Sequence, residues 1–346
     1  MLNAGLVGIG GMGRGHLDNL IRFTNENQII KLQALCDINP DKFGNAKVDF
    51  NIKGMGQTDY DLSKFRCYTS IDKMIEEEKG KLDFVILALP TFLHCENTVK
   101  FLKAGFHVFC EKPMGLNVAQ CQLMIDTAEA CGKRLMIGQC LRFWGEYVAL
   151  KQVVESKVLG DVITGYFYRG GGGAPEWSFI NWLRHRECGG GALHDQHVHD
   201  VDMVHWLFGM PKAVTSLGKV VYAGSGHDSV ATNYIYDSGA VITACDDWSM
   251  KAVDFSMEYR VNFEKGAAIW NAGGFKVLTN DGKDITPETS KETGYYNEMV
   301  YFADLISNPS KENTINPPTD SRDTIKIVVA ETKSADAQGA VTEVEQ

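Results

Sequence analysis

The chain has 346 residues with 34 basic and 44 acidic side chains, giving a formal net charge of −10 and a pI near 5.4. That length predicts about two domains. The 44% hydrophobic and 23% charged content excludes a disordered chain, and the acidic balance argues against a nucleic-acid binder, which would carry a clustered basic surface. No run reaches the roughly 18 apolar residues of a membrane helix, and Met1 to Gly13 lacks the basic start and cleavage site of a secretory leader. The nine cysteines are scattered singly, with no CxxC pair. A zinc ribbon or dithiol motif therefore does not fit, and a cytoplasmic protein with reduced thiols is expected.

Short apolar runs alternate with helical patterns in the first part of the chain, the signature of a parallel sheet with crossover helices. Ala4–Gly8 reads as a buried strand, Gly11–Phe23 as a helix and Leu32–Cys36 as a second strand. Asn45–Phe65 reads as a loop-rich excursion. Ile71–Glu78 is a helix, Phe84–Leu89 a strand stopped by Pro90, and Glu96–Lys103 a helix closed at Gly105. His107–Cys110, a helix over Val118–Ala130 and a strand at Arg134–Ile137 follow. Beyond Gly138 the pattern changes. Val162–Arg169, Ala213–Val221, Ala231–Tyr236, Ala240–Asp246 and Met257–Phe263 read as strands, several of them half-exposed by their alternation. Helices are expected at Leu193–Phe208, Asn297–Ile306 and Ser321–Ala337. The fold class is therefore α/β: a doubly wound parallel sheet over residues 1–138, then an α+β domain with a large, open, mostly antiparallel sheet over 139–346. One face of that second sheet needs a cover, for which a second copy of the chain is a candidate.

Gly8-Ile9-Gly10-Gly11-Met12-Gly13 is a GxGxxG element between a strand and a helix. Its glycines allow a tight turn, close backbone approach to a pyrophosphate and close helix–strand packing, with the phosphates on the helix N-terminus. Asp37 ends the second strand, where a carboxylate can hold the adenosine ribose hydroxyls and repel a 2′-phosphate, so NAD is favoured over NADP. Arg14 is either a phosphate contact or an exposed helical arginine.

Glu111-Lys112-Pro113 follows the strand His107–Cys110, at the strand end where ligands of such sheets bind. Pro113 holds Lys112 in a fixed turn. Further on, Gly189-Gly190-Gly191 leads into His194, Asp195, His197, His199 and Asp202. On one continuous helix, Asp195, His199, Asp202 and Trp206 would form a single stripe. Three readings compete there: acid–base catalysis by Asp195 and His199, a polar domain interface, and a metal site. Metal ligands on a helix favour i, i+4 spacing, which only Asp195 and His199 satisfy, so no metal is expected. The aromatics Tyr168, Trp177, Trp182 and Trp144 flank the glycine run Gly170–Gly173 or Arg142, and such faces stack on the C–H faces of sugars. No helix opens at Gly170–Gly173, so it reads as a flexible loop rather than a second nucleotide turn.

With these residues in place, the chain resembles the glucose–fructose oxidoreductase/inositol dehydrogenase (Gfo/Idh/MocA) family. The resemblance rests on GLVGIGGMGRGH at the start, AGFHVFCEKP at 104–113 and GGGALHDQHVHDVDMVHWLFG at 189–209, with weaker matches at Pro90 and His94, at Gln139 with Arg142 and Phe143, and over 295–302. It implies a Rossmann domain, a homodimer or homotetramer assembled through the C-terminal sheet, and NAD(P)-dependent hydride transfer on a sugar, polyol or cyclitol. By motif position it implies that Lys112 bonds the reacting oxygen, that His199 exchanges the proton and that Asp195 orients the site. The cofactor would lie on Gly8 to Gly13 and Asp37, with Leu89, Pro90, His94, Glu111 and Lys112 around it. Gln139, Arg142, Trp182, His185 and His197 fall on the substrate side. Two departures stand out: Thr91 replaces an asparagine usual after that proline, and His197 stands where a small residue is usual. The same scaffold could serve a dihydrodiol or another carbonyl, or a regulator that binds NAD without chemistry. A regulator would be expected to lose the lysine or the histidine, and a metal-dependent hydrolase would need no nicotinamide.

Overall fold

A computed structural model of the protein describes residues 1–44, 60–173 and 179–346. Two compact units emerge. The first holds Met1–Gly115, Ala119–Gly138 and Tyr295–Thr319; the second holds Leu116–Val118, Gln139–Gly294 and Asp320–Gln346.

The first unit is built on β1 (Leu2–Val7), α1 (Gly11–Arg22), β2 (Ile30–Cys36), β3 (Arg66–Tyr68), α2 (Ile71–Glu78), β4 (Phe84–Leu87), α3 (His94–Ala104), β5 (His107–Cys110), α4 (Val118–Ala130) and β6 (Leu135–Ile137). All six strands are parallel, in the order β3-β2-β1-β4-β5-β6. Every residue of β4 and β6 is buried, which is why both read as uninterrupted apolar runs: a parallel sheet is covered on both faces. The order reverses direction between β1 and β4, so the carboxyl ends of these two strands flank the crevice where such sheets take ligands. Gly105 ends α3 in the left-handed region at φ 101°, as a C-terminal glycine should.

The second unit opens with α5 (Gly145–Ser156) and β7 (Val162–Gly170). Two single-turn helices, α6 (Arg186–Gly189) and α7 (Ala192–Asp195), precede α8 (Val198–Phe208). Then come β8 (Ala213–Lys219), β9 (Ser229–Ile235), β10 (Val241–Asp247), β11 (Ser256–Phe263), β12 (Gly266–Asn271) and β13 (Gly274–Thr279). The chain continues through α9 (Gly294–Ser307), α10 (Pro318–Asp336) and β14 (Thr342–Glu343). The eight strands run β13-β12-β11-β7-β10-β9-β8-β14, antiparallel except at β7–β10. One face buries Phe167, Val230, Tyr234, Ile242, Ala244, Tyr259 and Val261, while Tyr166, Leu217, Ile235 and Val241 are exposed on the other.

Three features differ from the sequence reading. First, Tyr295–Thr319, expected in the second domain, packs with the first unit. Tyr296 stacks on Phe23 at 4.6 Å, Phe302 meets Phe84 and Phe109 edge-on at 5.5 and 5.8 Å, and Asn316 donates to the Ile137 carbonyl. Second, the expected helix over Leu193–Phe208 is broken. The amides of Gln196 and His197 both bond back to the Ala192 carbonyl, ending α7 before α8 begins. Third, α5, β12 and β13 went unread. Residues 45–59 of the expected loop-rich segment, and Trp177, lie outside the described residues. Gly171 to Gly173 have φ of 87°, 79° and 68°, and the amides of Gly171 and Gly172 bond the Asp247 and Val253 carbonyls. No disulfide joins the nine cysteines. Among the described residues no helix is long and apolar enough to cross a membrane.

Candidate active site

The glycine turn after β1 is dictated at two positions. Gly8 has φ 90°, and a Cβ there would lie 2.3 Å from the Ala88 carbonyl oxygen. A Cβ on Gly13 would sit 1.9 Å from the Gly8 oxygen, so that residue lets α1 close onto the strand end. Gly10 is different: a Cβ there meets nothing within 4 Å. The fold leaves open space at the residue that caps α1, and that helix has neither a side-chain cap nor an acidic residue in its first turn. An uncapped helix start facing open space suits a pyrophosphate. Gly10→Ala is therefore expected to leave the melting temperature unchanged and to weaken NAD binding by more than about tenfold, roughly 1.4 kcal/mol, as fluorescence titration would measure.

Asp37 closes this turn from β2. Its Oδ2 accepts from the Ile9 amide at 2.7 Å and its Oδ1 from the Asn39 amide at 2.9 Å. The carboxylate is thus fixed beside the glycine turn, and the spare lone pairs of both oxygens can take ribose hydroxyls. Arg14 is not exposed: it is 4% accessible and donates to the Lys42 and Gly44 carbonyls, tying α1 to the segment after β2.

The next two strand ends carry Leu89, Pro90, Glu111 and Lys112. Leu89, Pro90 and Lys112 are half-buried, and Glu111 is buried. His94 does not face outward as a cofactor-lining residue would. It is fully buried, with Nδ1 2.7 Å from the Pro113 oxygen and Nε2 2.8 Å from the Leu89 oxygen. It braces the loops bearing Pro90 and Lys112 against each other. Burial keeps its pKa below the ordinary histidine range, so the neutral ring donates its one N–H to one of the two carbonyls at a time. Glu111 Oε1 meets His16 Nε2 at 2.6 Å, and its Oε2 accepts the Lys112 amide at 3.1 Å. Glu298 of α9 joins them: one ligand atom from each of His16, Glu111 and Glu298 lies within 4.8 Å of the others. Burial, with the Glu111 charge added, holds the Glu298 carboxyl well above the usual carboxylate range. Sequence reading gave His16 and Glu298 no role, although both lie in segments that carry the resemblance, because their meeting depends on α9, which was placed in the other domain.

In the second unit Asp195 ends α7 and His199 lies in the first turn of α8, both half-buried, so the break between the helices separates them. Asp202 faces the interior instead of sharing a stripe with them. It accepts a two-pronged bond from Arg142, Nε and Nη2 each at 2.9 Å, and a third from Thr324. Arg142 also donates to Asp320 at 2.6 Å and is 1% exposed, which makes it a structural cation rather than a surface contact for substrate. His197 is fully buried, facing Glu331 and Tyr234. Gln139 is buried, Trp182 is packed against the small cluster of Leu183, Ala192 and Trp248, and His185 is exposed. The four candidate metal ligands of the sequence reading, His194, Asp195, His197 and His199, do not converge as a group; among the described residues His197 instead groups with Asp200 and Asp246.

Residues 2–139 match the oxidoreductase family with an NAD-binding Rossmann fold, and residues 147–269 match the C-terminal domain of the same Gfo/Idh/MocA family. The 2,7-anhydro-N-acetylneuraminate hydratase of Escherichia coli is 28% identical over 228 residues, 65% of this chain and 55% of that protein. The inositol 2-dehydrogenase of Salmonella typhimurium is 30% identical over 210 residues, 60% of this chain and 54% of that protein. The chain thus spans about half the length of these curated relatives. Among solved structures, the WlbA dehydrogenase of Bordetella pertussis, in complex with NADH and UDP-GlcNAcA, shares the fold with a TM-score of 0.79 at 19% identity, covering 100% of this chain and 98% of that one. A levoglucosan dehydrogenase in complex with NADH and levoglucosan does so with a TM-score of 0.79 at 18% identity, covering all of both chains. With both family domains matched in order along the chain, on a parallel six-stranded sheet and a separate eight-stranded one, this protein belongs to the Gfo/Idh/MocA oxidoreductase family, and its first unit carries that family's NAD-binding Rossmann fold.

Proposed function

We propose that the protein is an NAD-dependent oxidoreductase acting on a secondary alcohol, or the matching ketone, of a sugar, sugar derivative or cyclitol. One observation carries this reading: Lys112 leaves the carboxyl end of β5, two strands along the same sheet edge from the Gly10 cradle. A cation at that edge, next to a place for a dinucleotide, has a chemical use. The glycine turn and the start of α1 would hold the pyrophosphate, and Asp37 the adenosine ribose. When bound, NAD supplies the hydride acceptor. The Lys112 ammonium donates to the reacting oxygen and stabilises its negative charge as the alcohol is oxidised. A ring nitrogen of His199 takes the hydroxyl proton, and Asp195 orients the oxygen for that transfer. In the reducing direction the same nitrogen returns the proton.

The sugar-like substrate class is supported by the relatives, a 2,7-anhydro-N-acetylneuraminate hydratase and an inositol 2-dehydrogenase among them. We place the enzyme in the cytoplasm, where thiols stay reduced. The exposed Tyr166, Leu217, Ile235 and Val241 on the open face of the second sheet support assembly into a homodimer or homotetramer. The test is to follow reduced-cofactor absorbance with NAD and with NADP against cyclitols, sugars and glycosides. Turnover is expected with NAD, and at least about tenfold less with NADP, since the Asp37 carboxylate repels a 2′-phosphate. Tight NAD binding with no turnover across the panel would sink the enzymatic reading in favour of an NAD-binding regulator.

A further inference from the structure

The turn between α7 and α8 carries two kinds of residue. Asp195 and His199 are half-buried, whereas Gln196 and His197 between them are buried inside the second unit. Buried turn residues ordinarily rest on an apolar floor, but this floor is ionic. His197 Nε2 lies 3.5 Å from Glu331 Oε1 on α10 and 3.4 Å from the Tyr234 hydroxyl on β9. A His197 ring nitrogen, an Asp200 oxygen and an Asp246 oxygen of β10 all lie within 4.8 Å of one another. Gln196 Nε2 donates to Asp246 Oδ1 at 3.2 Å. Arg169 of β7 donates to both oxygens of Asp200 at 3.0 and 3.3 Å. Glu331, Tyr234, Asp246 and Asp200, with Arg169 behind Asp200, are the charged and titratable groups facing His197.

Arg169 neutralises Asp200. Glu331 has no exposed surface, and a buried carboxylate needs a cation beside it. Burial pushes the Asp246 carboxyl well above its usual range. The cation left for Glu331 is His197. Burial opposes the imidazolium, but Glu331, Asp246 and Asp200 together outweigh burial and hold it above the ordinary histidine range.

We propose that His197 and Glu331 form a buried ion pair that pins the α7–α8 turn and so fixes the directions of Asp195 and His199. Both are positioning residues, acting through the two side chains that flank the pin. The inference rests on the roles given to Asp195 and His199 above.

The test uses the full chain with ¹⁵N-labelled histidine and the variant Glu331→Gln, which keeps the size of the side chain and removes its charge. Native His197 is expected to carry protons on both ring nitrogens at neutral pH and to drop to one in the variant, with the His199 signals displaced. The kcat falls about 10- to 100-fold through misplacement of the reacting groups, while KM and NAD affinity hold. The double variant His197→Gln/Glu331→Gln regains part of the stability lost by either single change, because each single change leaves one buried polar group without its partner. A native His197 with one ring proton at neutral pH overturns the ion pair. Native kcat and undisplaced His199 signals in Glu331→Gln overturn the positioning role. If the native protein turns over nothing in the substrate panel, the proposed activity fails, while the nitrogen and His199 signals still decide the pin.

Discussion

Lys112→Ala is expected to bind NAD as the native protein does and to lose about 10²–10³ in kcat, the usual cost of removing one donor from a developing oxyanion. The substitution is a clean one. The loop keeps its shape through His94, whose ring lies between the Pro113 and Leu89 carbonyls, and through Glu111, which accepts the amide of residue 112. Alanine retains that amide. What is lost is a charge at the edge of the sheet, so the main effect is expected in turnover. Steady-state kinetics beside a cofactor titration separate the two, and native kcat in the variant would remove Lys112 from the chemistry.

The second large effect is expected in stability. Arg142→Leu leaves Asp202 buried without its two-pronged partner and frees one arm of Asp320. Breaking a buried pair from one side costs about 3–5 kcal/mol, because the remaining charge is desolvated and uncompensated. Urea unfolding of the variant measures this. Lysine is a poor substitute, since it lacks the fork that meets both oxygens of Asp202. A variant of native stability with a raised KM would instead return Arg142 to the substrate side, where its sequence position suggested it.

Much of the nucleotide half was legible because its signals are local. Gly8 to Gly13 and Asp37 sit at the joints of short apolar strands, and chain geometry forces glycine at Gly8 and Gly13. The burial of the parallel strands on both faces makes them visible as runs such as Phe84–Leu87. The remainder depends on partners far along the chain. Arg142 looks like a free cation until Asp202 and Asp320 close on it from 60 and 178 residues away. His94 stands in a motif position, yet its ring serves two carbonyls. No glycine or proline marks the break at Gln196 and His197, so helical spacing ran through it. The amphipathic stripe of α9 announces a covered face without saying which sheet covers it.

That last ambiguity has a consequence for how the protein is made. The first unit draws Tyr295–Thr319 from far downstream, and that segment brings Phe302 onto Phe84 and Phe109 and sets Glu298 beside Glu111. A ribosome has therefore passed residue 319 before the dinucleotide half has all of its parts. Nascent chains stalled after Gly138 would hold six strands with an aromatic patch still open to solvent, a species suited to chaperone capture rather than to cofactor. A cut at Gly138 would leave the first unit without Tyr295–Thr319 and the aromatic contacts that segment makes.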